Sequence, residues 1–389
     1  MSAAEGVKDP LSPWLVLFDE YRIASFPHDE VVSGTLPGGY DENHPAVAFA
    51  VGVWPGRLHL GRRKDGVLEV ALVREVGDPP NVRRLLHLTL FAMTIFTTLM
   101  AGALLQGVDP LASRAFQLGA WSFPMPSTVD FEGLWLGVPF SFTLLVILGA
   151  HEMGHYFAAR FHGVRASLPY FLPVPAYFSI VGTFGAFIRI KGPSVRRSIL
   201  FDIGVAGPLA SFVLSVVAVG VGLGWSTPSG YQASTLSPFL VRFAEQPVGL
   251  GSSLVSNALA FMRFPALIGI ESIELHAVAF AGWVGLFLTS LNLLPFGQLD
   301  GGHVAYGVLG RRQAPIAWLF ILLLIPLGMV WWGWWLWGAV AVVVSRGRLA
   351  HPPVLQPDHQ PDRTRALLAV ISCIIFFITF IPFPMNIFG

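Results

Sequence analysis

Apolar residues in this chain are gathered into long runs that are separated by short polar segments. The longest runs cover residues 85–107, 134–160, 198–222 and 276–309, and further runs follow at 318–344 and 367–383. Each run approaches the roughly 20 residues that a helix needs to cross a membrane. Pro326 and Gly328 interrupt the run 318–344, so it forms either one tilted span or a tight pair of short helices. The pattern predicts a polytopic α-helical membrane protein with about six or seven transmembrane helices.

The first 84 residues differ from the rest because they contain no long apolar run. Residues 46–54 and 67–73 are rich in β-branched types, and turn residues such as Pro55-Gly56 lie between them. We therefore expect residues 1–84 to form a small soluble N-terminal domain without a signal peptide, with strands at those two places.

The remaining chain divides into two predicted regions. Residues 85–310 should form the membrane core, with spans near the first four runs. Residues 311–389 should form a C-terminal transmembrane region that contains a Pro-rich polar linker at 351–361.

Basic residues predict how these regions are oriented. Lys and Arg are frequent before the first run, between the second and third, and after the fourth, whereas residues 108–133 and 223–274 contain few. Because such residues accumulate in cytoplasmic loops, the N-terminus should be cytoplasmic. Arg346 and Arg365 would also be cytoplasmic if 318–344 crosses twice, which favours seven spans over six. The second and fourth runs then both end in the cytoplasmic half of the membrane.

Composition agrees with an integral membrane protein and excludes some functions. The chain is 54% hydrophobic and 12% charged, far from the balance of soluble domains. A net charge of +1 gives no reason to expect nucleic acid as a partner. Cys373 is the only cysteine, which excludes an internal disulfide and a cysteine-based zinc site.

An ionisable cluster lies at the end of the second run. Residues 134–150 contain no formally charged residue, and His151, Glu152 and His155 follow directly. Ionisable groups at membrane depth are costly and usually functional. On a helix the two histidines share a face and can bind one metal, while Glu152 lies near a metal-bound water. The alternative is a pair of core histidines hydrogen-bonded to neighbouring helices.

The fourth run contains a candidate third ligand. Asp300 lies between apolar stretches and is followed by Gly301 and Gly302, which let another backbone come close. Two imidazoles and one carboxylate form a catalytic zinc set with the fourth position open for water, so we expect one Zn²⁺ per chain. Capping of a helix that continues past Asp300 is the alternative role. His303 follows three residues later and is expected to stay outside this ligand set.

These motifs resemble those of the site-2 proteases, a family of intramembrane zinc metalloproteases. Its HExxH motif matches residues 151–155, and its N-x-x-P-x-x-x-x-D-G motif matches Asn292, Pro295, Asp300 and Gly301. Residues 182–186 and 202–210 resemble the family's membrane-associated hairpin and the start of its next helix. The resemblance covers roughly residues 85–310 and implies an endopeptidase that cleaves transmembrane segments in regulated intramembrane proteolysis.

The expected roles follow the chemistry of metalloproteases. Glu152 would take the proton of the attacking water and pass it to the leaving amine. Asn292 would either donate to the developing oxyanion or satisfy backbone groups that Pro295 leaves free. By resemblance, substrates are membrane proteins such as anti-sigma factors or membrane-bound transcription factor precursors. The enzyme would lie in the lipid bilayer, in a bacterial inner membrane.

Residues 168–192 are predicted to form a β-hairpin that enters the membrane beside this site. Three prolines make the segment too broken for a helical crossing, and residues 177–190 are rich in aromatic and β-branched types. Its edge, at Gly182, Thr183, Phe184 and Gly185, would pair with an unwound substrate segment. A loop that only packs the helices is the alternative.

Two functions of other classes stay open. A metal-ion transporter would also carry His and Asp at membrane depth, but it does not need Glu152 between the histidines. A catalytically inactive membrane adaptor would keep the fold and lose a ligand or the base, and none is missing from the sequence.

Overall fold

The computed structural model describes most of the chain, with short gaps. The described residues are 9–25, 29–63, 65–76, 84–118, 121–191, 196–234, 236–267, 269–344, 347, 349–351, 354 and 362–387. Within them an N-terminal unit precedes a bundle of apolar helices, and small sheets cover one end of that bundle.

The N-terminal unit is a four-stranded antiparallel sheet with two helices packed on it. Its elements are α1 (Ser12–Leu17), β1 (Glu20–Ser25), β2 (Asp29–Thr35), α2 (Pro45–Val53), β3 (Arg57–Arg62) and β4 (Leu68–Glu75), and the strand order is β1-β2-β4-β3. Trp14, Val32, Val47 and Leu72 are buried between helices and sheet. The unit contacts the end of the second core helix, where Arg57 Nη1 donates to the Gly163 carbonyl oxygen at 2.5 Å.

The strand predicted at 46–54 is wrong, because this segment is helix α2. Pro45 occupies the first turn, where its missing N–H costs nothing, and the His44 ring accepts from the Ala46 N–H at 3.3 Å. Val47 and Ala50, three residues apart, are both buried on one helical face. The β-branched content suggested a strand, but this cap and the packing on the sheet outweigh that weak local preference. The strand predicted at 67–73 corresponds to β4.

Helices form the rest of the core. They are α3 (Arg84–Leu105), α4 (Phe131–Trp135), α5 (Val138–Phe161), α6 (Arg197–Leu223), α7 (Leu254–Arg263), α8 (Ala277–Asn292), α9 (Asp300–Leu309), a 3₁₀ turn (Gly310–Arg312), α10 (Gln313–Val330), α11 (Gly333–Val344) and α12 (Arg363–Thr379). Among the described residues, α3, α6 and the stretch Asp300–Val330 are long and apolar enough to cross a membrane. The chain thus has the helices of a membrane protein, and the count of six or seven spans stays a prediction.

Two of the predicted runs are divided in the structure. The run 276–309 consists of α8 and α9 with an irregular loop at 293–299, where the sequence predicted a break. The run 318–344 consists of α10 and α11, which pack as a helical hairpin in which the Trp335 indole nitrogen donates to the Ile325 carbonyl oxygen at 3.0 Å. Of the two forms predicted for 318–344, the structure contains the pair of short helices.

Sheets that follow the C-terminal ends of α3 and α6 and precede α8 were not predicted. They comprise the hairpin β5 (Leu111–Leu118) and β6 (Trp121–Val129), and a five-stranded sheet of β11 (Thr227–Gln232), β12 (Phe239–Phe243), β13 (Gln246–Leu250), β14 (Glu271–Glu274) and β15 (Met385–Ile387), in the order β11-β14-β12-β13-β15. Phe239, Leu250 and Ile273 are buried against the helices. The strands of the five-stranded sheet have six residues or fewer, so their periodicity is too brief to stand out in the sequence.

The predicted hairpin is present within residues 168–192. Strand β8 (Tyr170–Pro173) pairs with β9 (Thr183–Phe187). The flanking strands β7 (Arg165–Ala166) and β10 (Ile190–Lys191) pair with each other. The hairpin follows the whole of α3. Its base lies at His87, whose Nδ1 is 3.0 Å from the Pro169 carbonyl oxygen, and its tip lies beyond the other end, where the Tyr177 hydroxyl donates to Asp109 at 2.7 Å. The 22 residues of α3 rise about 33 Å, close to the thickness of a bilayer core.

Candidate metal centre

Helix α5 delivers two histidines and a glutamate to the centre of the bundle. His151, Glu152 and His155 are each at most 6% exposed. The four-residue spacing places both imidazoles on the face toward α6, with ring centroids 4.7 Å apart. The helices approach closely there because Gly207 of α6 lies directly against the His155 ring, where any Cβ would overlap it. Replacing Gly207 would therefore displace His155.

Asp300 completes the cluster from the first turn of α9. Its Oδ2 lies 3.1 Å from His151 Nε2 and its Oδ1 lies 3.3 Å from His155 Nε2, while the two Nε2 atoms are 3.1 Å apart. The loop before α9 folds back on this turn, and a Cβ on Gly301 would overlap the Leu293 carbonyl. The three predicted ligands are thus brought within 4.8 Å of one another.

The hydrogen-bond partners of the two imidazoles determine the tautomer of each ring, and hence whether its Nε2 points a lone pair at Asp300. His155 Nδ1 donates to the Ile203 carbonyl oxygen at 2.7 Å. His151 Nδ1 lies 3.0 Å from Ser211 Oγ, which can accept from the ring while its own proton goes to the Pro208 carbonyl or to Thr289. With both Nδ1 atoms protonated, both Nε2 atoms carry lone pairs that converge with a carboxylate. Three converging acceptors in a buried site fit a divalent cation, and held Nδ1 atoms are the usual support of metal-binding histidines.

Glu152 lies beside the three candidate ligands but is not one of them. Its carboxylate accepts a hydrogen bond from the Ile188 backbone, just beyond the end of β9. It also borders the same cavity as the three candidate ligands. A carboxylate that borders the candidate metal site without being one of its ligands is placed as a general base requires.

Asn292 ends α8 and also reaches the cluster. Its Nδ2 lies 3.2 Å from His151 Nε2, and the residue borders the cavity. The hydrogen bond goes to the candidate ligand rather than to the backbone of the break at 293–299. The catalytic role of Asn292 stays a prediction.

A cavity of about 200 Å³ opens beside the cluster. Besides the residues described above, it is lined by Ala186, Phe187, Ile188, Ile190, Ile203, Gln298, Leu299 and His303. The hairpin therefore contributes the end of β9 and the residues after it to the cavity wall.

The four predicted substrate-binding residues lie just before that wall. Gly182 (φ +75°) packs on α3, where a Cβ would overlap the Thr97 carbonyl. Thr183 is buried, and its hydroxyl donates to the Leu172 carbonyl at 2.8 Å and accepts from the Gly185 N–H at 3.0 Å. Phe184 is 76% exposed, and open space surrounds the Cα of Gly185. The structure groups these residues on the hairpin and leaves them outside the cavity lining.

Several supporting residues were missed in the sequence. Ser211 and the Ile203 carbonyl hold the two histidines, and both belong to α6. A signal existed, because small residues recur every three or four positions along the buried face of α6. They are Gly204, Gly207, Ser211, Ser215, Ala218 and Gly222. Such a stripe indicates close helix contacts in membranes.

Comparisons with known proteins identify similar peptidases. The family model described as "Peptidase family M50" matches residues 139–328. Similar proteins include two named "Probable zinc metalloprotease EGY1, chloroplastic": one from Oryza sativa subsp. japonica, 30% identical over 80% of this chain and 53% of its own length, and one from Arabidopsis thaliana, 29% identical over 80% and 56%. A "Probable zinc metalloprotease EGY2, chloroplastic" from Arabidopsis thaliana is 26% identical over 65% and 43%. The chain spans about half the length of these curated relatives. No solved structure matches.

Proposed function

We propose that the chain, whose residues 139–328 match the model of peptidase family M50, is a zinc endopeptidase of the site-2 protease type that cleaves transmembrane segments of other proteins. The observation that carries the proposal is the convergence of His151, His155 and Asp300, with Glu152 directly beside them. The names of the similar proteins support zinc as the metal, as does a ligand set of two nitrogens and one oxygen.

The residues divide the chemistry among them. When bound by His151, His155 and Asp300, zinc would polarise the scissile carbonyl and make water acidic enough to react at neutral pH. Glu152 takes the proton of the attacking water and delivers it to the leaving nitrogen. Asn292 either donates its amide N–H to the carbonyl oxygen or satisfies the backbone of the break; its Nδ2 lies 3.2 Å from His151 Nε2, whose lone pair zinc would take, so the amide would then be free for either role.

For the membrane topology we propose seven crossing segments: α3, α5, α6, α8, α10, α11 and α12. The start of α12 lies beside the start of α6, because the Arg365 guanidinium donates to both carboxylate oxygens of Asp202 at 2.8 and 2.6 Å. Both helices therefore begin on one side, which requires α10 and α11 to go out and return. With the N-terminus cytoplasmic, the metal centre lies in the cytoplasmic half of the bilayer.

We propose that the hairpin receives the substrate as an added strand. Residues 184 and 185 lie in an irregularity of the β8–β9 ladder, so they make no register pair with β8. An unwound transmembrane segment bound along β9 would be led toward Ile188 and Glu152. As the sequence predicted, anti-sigma factors or membrane-bound transcription factor precursors are candidate substrates and a bacterial inner membrane is the candidate location, although the similar proteins carry chloroplast names.

The first experiment separates a protease from a transporter or an inactive adaptor. Glu152→Gln keeps the shape of the side chain but removes the base, so cleavage of a model transmembrane substrate should fall about 10²–10⁴-fold while bound zinc is unchanged. Zinc flux through reconstituted liposomes should be equally low for both proteins. Near-normal cleavage by the variant would refute the mechanism.

The second experiment tests strand addition. Phe184→Pro removes one backbone N–H that pairs with no residue of β8, and Phe184→Ala serves as the matched control that removes only the ring. The proline variant should cleave a stably helical substrate about tenfold more slowly than the alanine variant, and an unfolded peptide at a similar rate. Equal rates for both variants on the helical substrate would leave the hairpin a packing element. Zinc content is measured in both variants.

A further inference from the structure

The loop that carries Asp300 is held by residues far along the chain. Residues 293–299 form no helix or strand, yet they set where α9 begins and hence where Asp300 lies. The Gly297 N–H donates to the Leu349 carbonyl oxygen at 2.8 Å. Leu349 is buried and follows α11, outside the residues that match the family.

Gln313 connects the same two segments. Its Nε2 donates to the Pro295 carbonyl oxygen at 2.9 Å and to the Leu349 carbonyl oxygen at 3.3 Å, and its Oε1 accepts from the His351 N–H at 3.0 Å. The side chain is 1% exposed. A buried amide with three such bonds has one favourable orientation, because any rotation leaves buried polar groups unpaired.

The same segment also supports α9 from the side. His351 Nε2 lies 2.9 Å from His303 Nδ1, and its ring stacks on Tyr306 with centroids 4.6 Å apart. His303 and Tyr306 are three and six residues after Asp300, on the helix that Asp300 begins. The loop and the helix on either side of Asp300 are thus both fixed to residues 349–351.

We propose that residues 349–351, linked through Gln313, form a brace that positions the Asp300 carboxylate for the metal. The inference rests on the proposed function, since it assigns Gln313 as a positioning residue for a zinc ligand. A ligand delivered by an irregular loop needs such support, because loss of groups that orient a metal ligand commonly lowers metal affinity 10- to 100-fold.

The test measures affinity for Zn²⁺ alone, by chelator competition on the full-length metal-free protein. Gln313→Met keeps a similar length and volume but makes no hydrogen bonds, and it should bind Zn²⁺ about 10- to 100-fold more weakly. Exposed Gln232 provides the matched control, and Gln232→Met should bind as the wild type does. Hydrogen exchange of the 293–299 peptide should be faster in the Gln313 variant only.

A second variant separates the contribution of the His351 backbone from that of its ring. His351→Ala keeps the N–H that donates to Gln313 Oε1 but removes the ring that contacts His303 and Tyr306, so its zinc affinity should fall less than that of Gln313→Met, and a larger loss than in Gln313→Met would overturn the assignment of the brace to Gln313. Asp300→Ala reports on the proposed function itself. Both variants are measured at a temperature where they are folded. If Asp300→Ala lowers the affinity for zinc and Gln313→Met does not, the brace is refuted but the proposed metal site is not. If neither variant lowers the affinity for zinc, the proposed metal site is wrong as well.

Discussion

Two histidine–aspartate clusters involve histidines of α5 or its C-cap, and they differ in how the charge of the aspartate is compensated. In the candidate metal centre, His151 and His155 meet Asp300. About two turns further along, at the cap of α5, His162 Nε2 lies 2.8 Å from Asp202. The second cluster includes Arg365, which binds both oxygens of Asp202. Among the described residues, the ion pairs of Asp300 involve only the two histidines.

The difference shows what distinguishes a metal site from a structural polar cluster. Asp202 receives its cation from the protein, and the pair fixes α12 to α6 in a partly exposed setting. The metal centre is more deeply buried, and its three acceptors converge without an arginine or lysine among them. A buried charge must be compensated, so we propose that this centre takes up a metal cation. Residue types alone would not separate the two clusters.

The largest expected effect comes from exchanging one histidine in each cluster. His155→Ala should reduce cleavage by more than about 10³-fold, because a proposed zinc ligand is lost. His162→Ala should leave cleavage within about threefold of wild type, since Arg365 still compensates Asp202. Both rates are measured with the same transmembrane substrate in the same detergent. Comparable losses in the two variants would mean that the clusters do not differ in function.

The Asp202 cluster should matter for stability rather than for zinc binding. Asp202→Asn removes the charge that Arg365 pairs with, and it should lower the free energy of unfolding by about 1 kcal/mol while zinc content stays at the wild-type level. Chemical denaturation of the zinc-bound protein and metal analysis of the same sample test this. Zinc loss without destabilisation would assign Asp202 to the metal centre instead.

His59 of β3 lies outside both clusters and gives the smallest expected effect. Burial, and then the charges of Arg196 and Arg57, lower the pKa of His59 to about 4, so it stays neutral where the unfolded chain would be protonated. The unfolded state then binds more protons, and the N-terminal sheet should lose stability as pH falls from about 6.5 toward 4. Hydrogen exchange of the β3 and β4 amides should accelerate over that range. His59→Gln should reduce the acceleration, and an unchanged pH profile in this variant would contradict the assignment.

Local spacing explains why the core of the site could be predicted. His151 and His155 share a helical face by their four-residue separation alone, and Asp300 is recognisable because a carboxylate between apolar runs is rare. The break before Asp300 was visible in Pro295. These features need no knowledge of how distant segments meet.

The remainder depends on contacts between distant segments. Gln313 and Leu349 support the loop through hydrogen bonds that no sequence spacing encodes. Ser211 was detectable only as a member of the small-residue stripe of α6, which indicates contact but not its partner. The strand predicted at 46–54 failed because β-branched content is a weak guide beside a proline at a helix start.

The zinc content of two variants tests the central claim most directly. Wild-type protein should hold about one zinc per chain, and Asp300→Ala should lose it while His303→Ala keeps it. Both residues border the same cavity on the same helix, so each controls for disturbance of α9 in the other. Full zinc in Asp300→Ala together with loss in His303→Ala would contradict the ligand set.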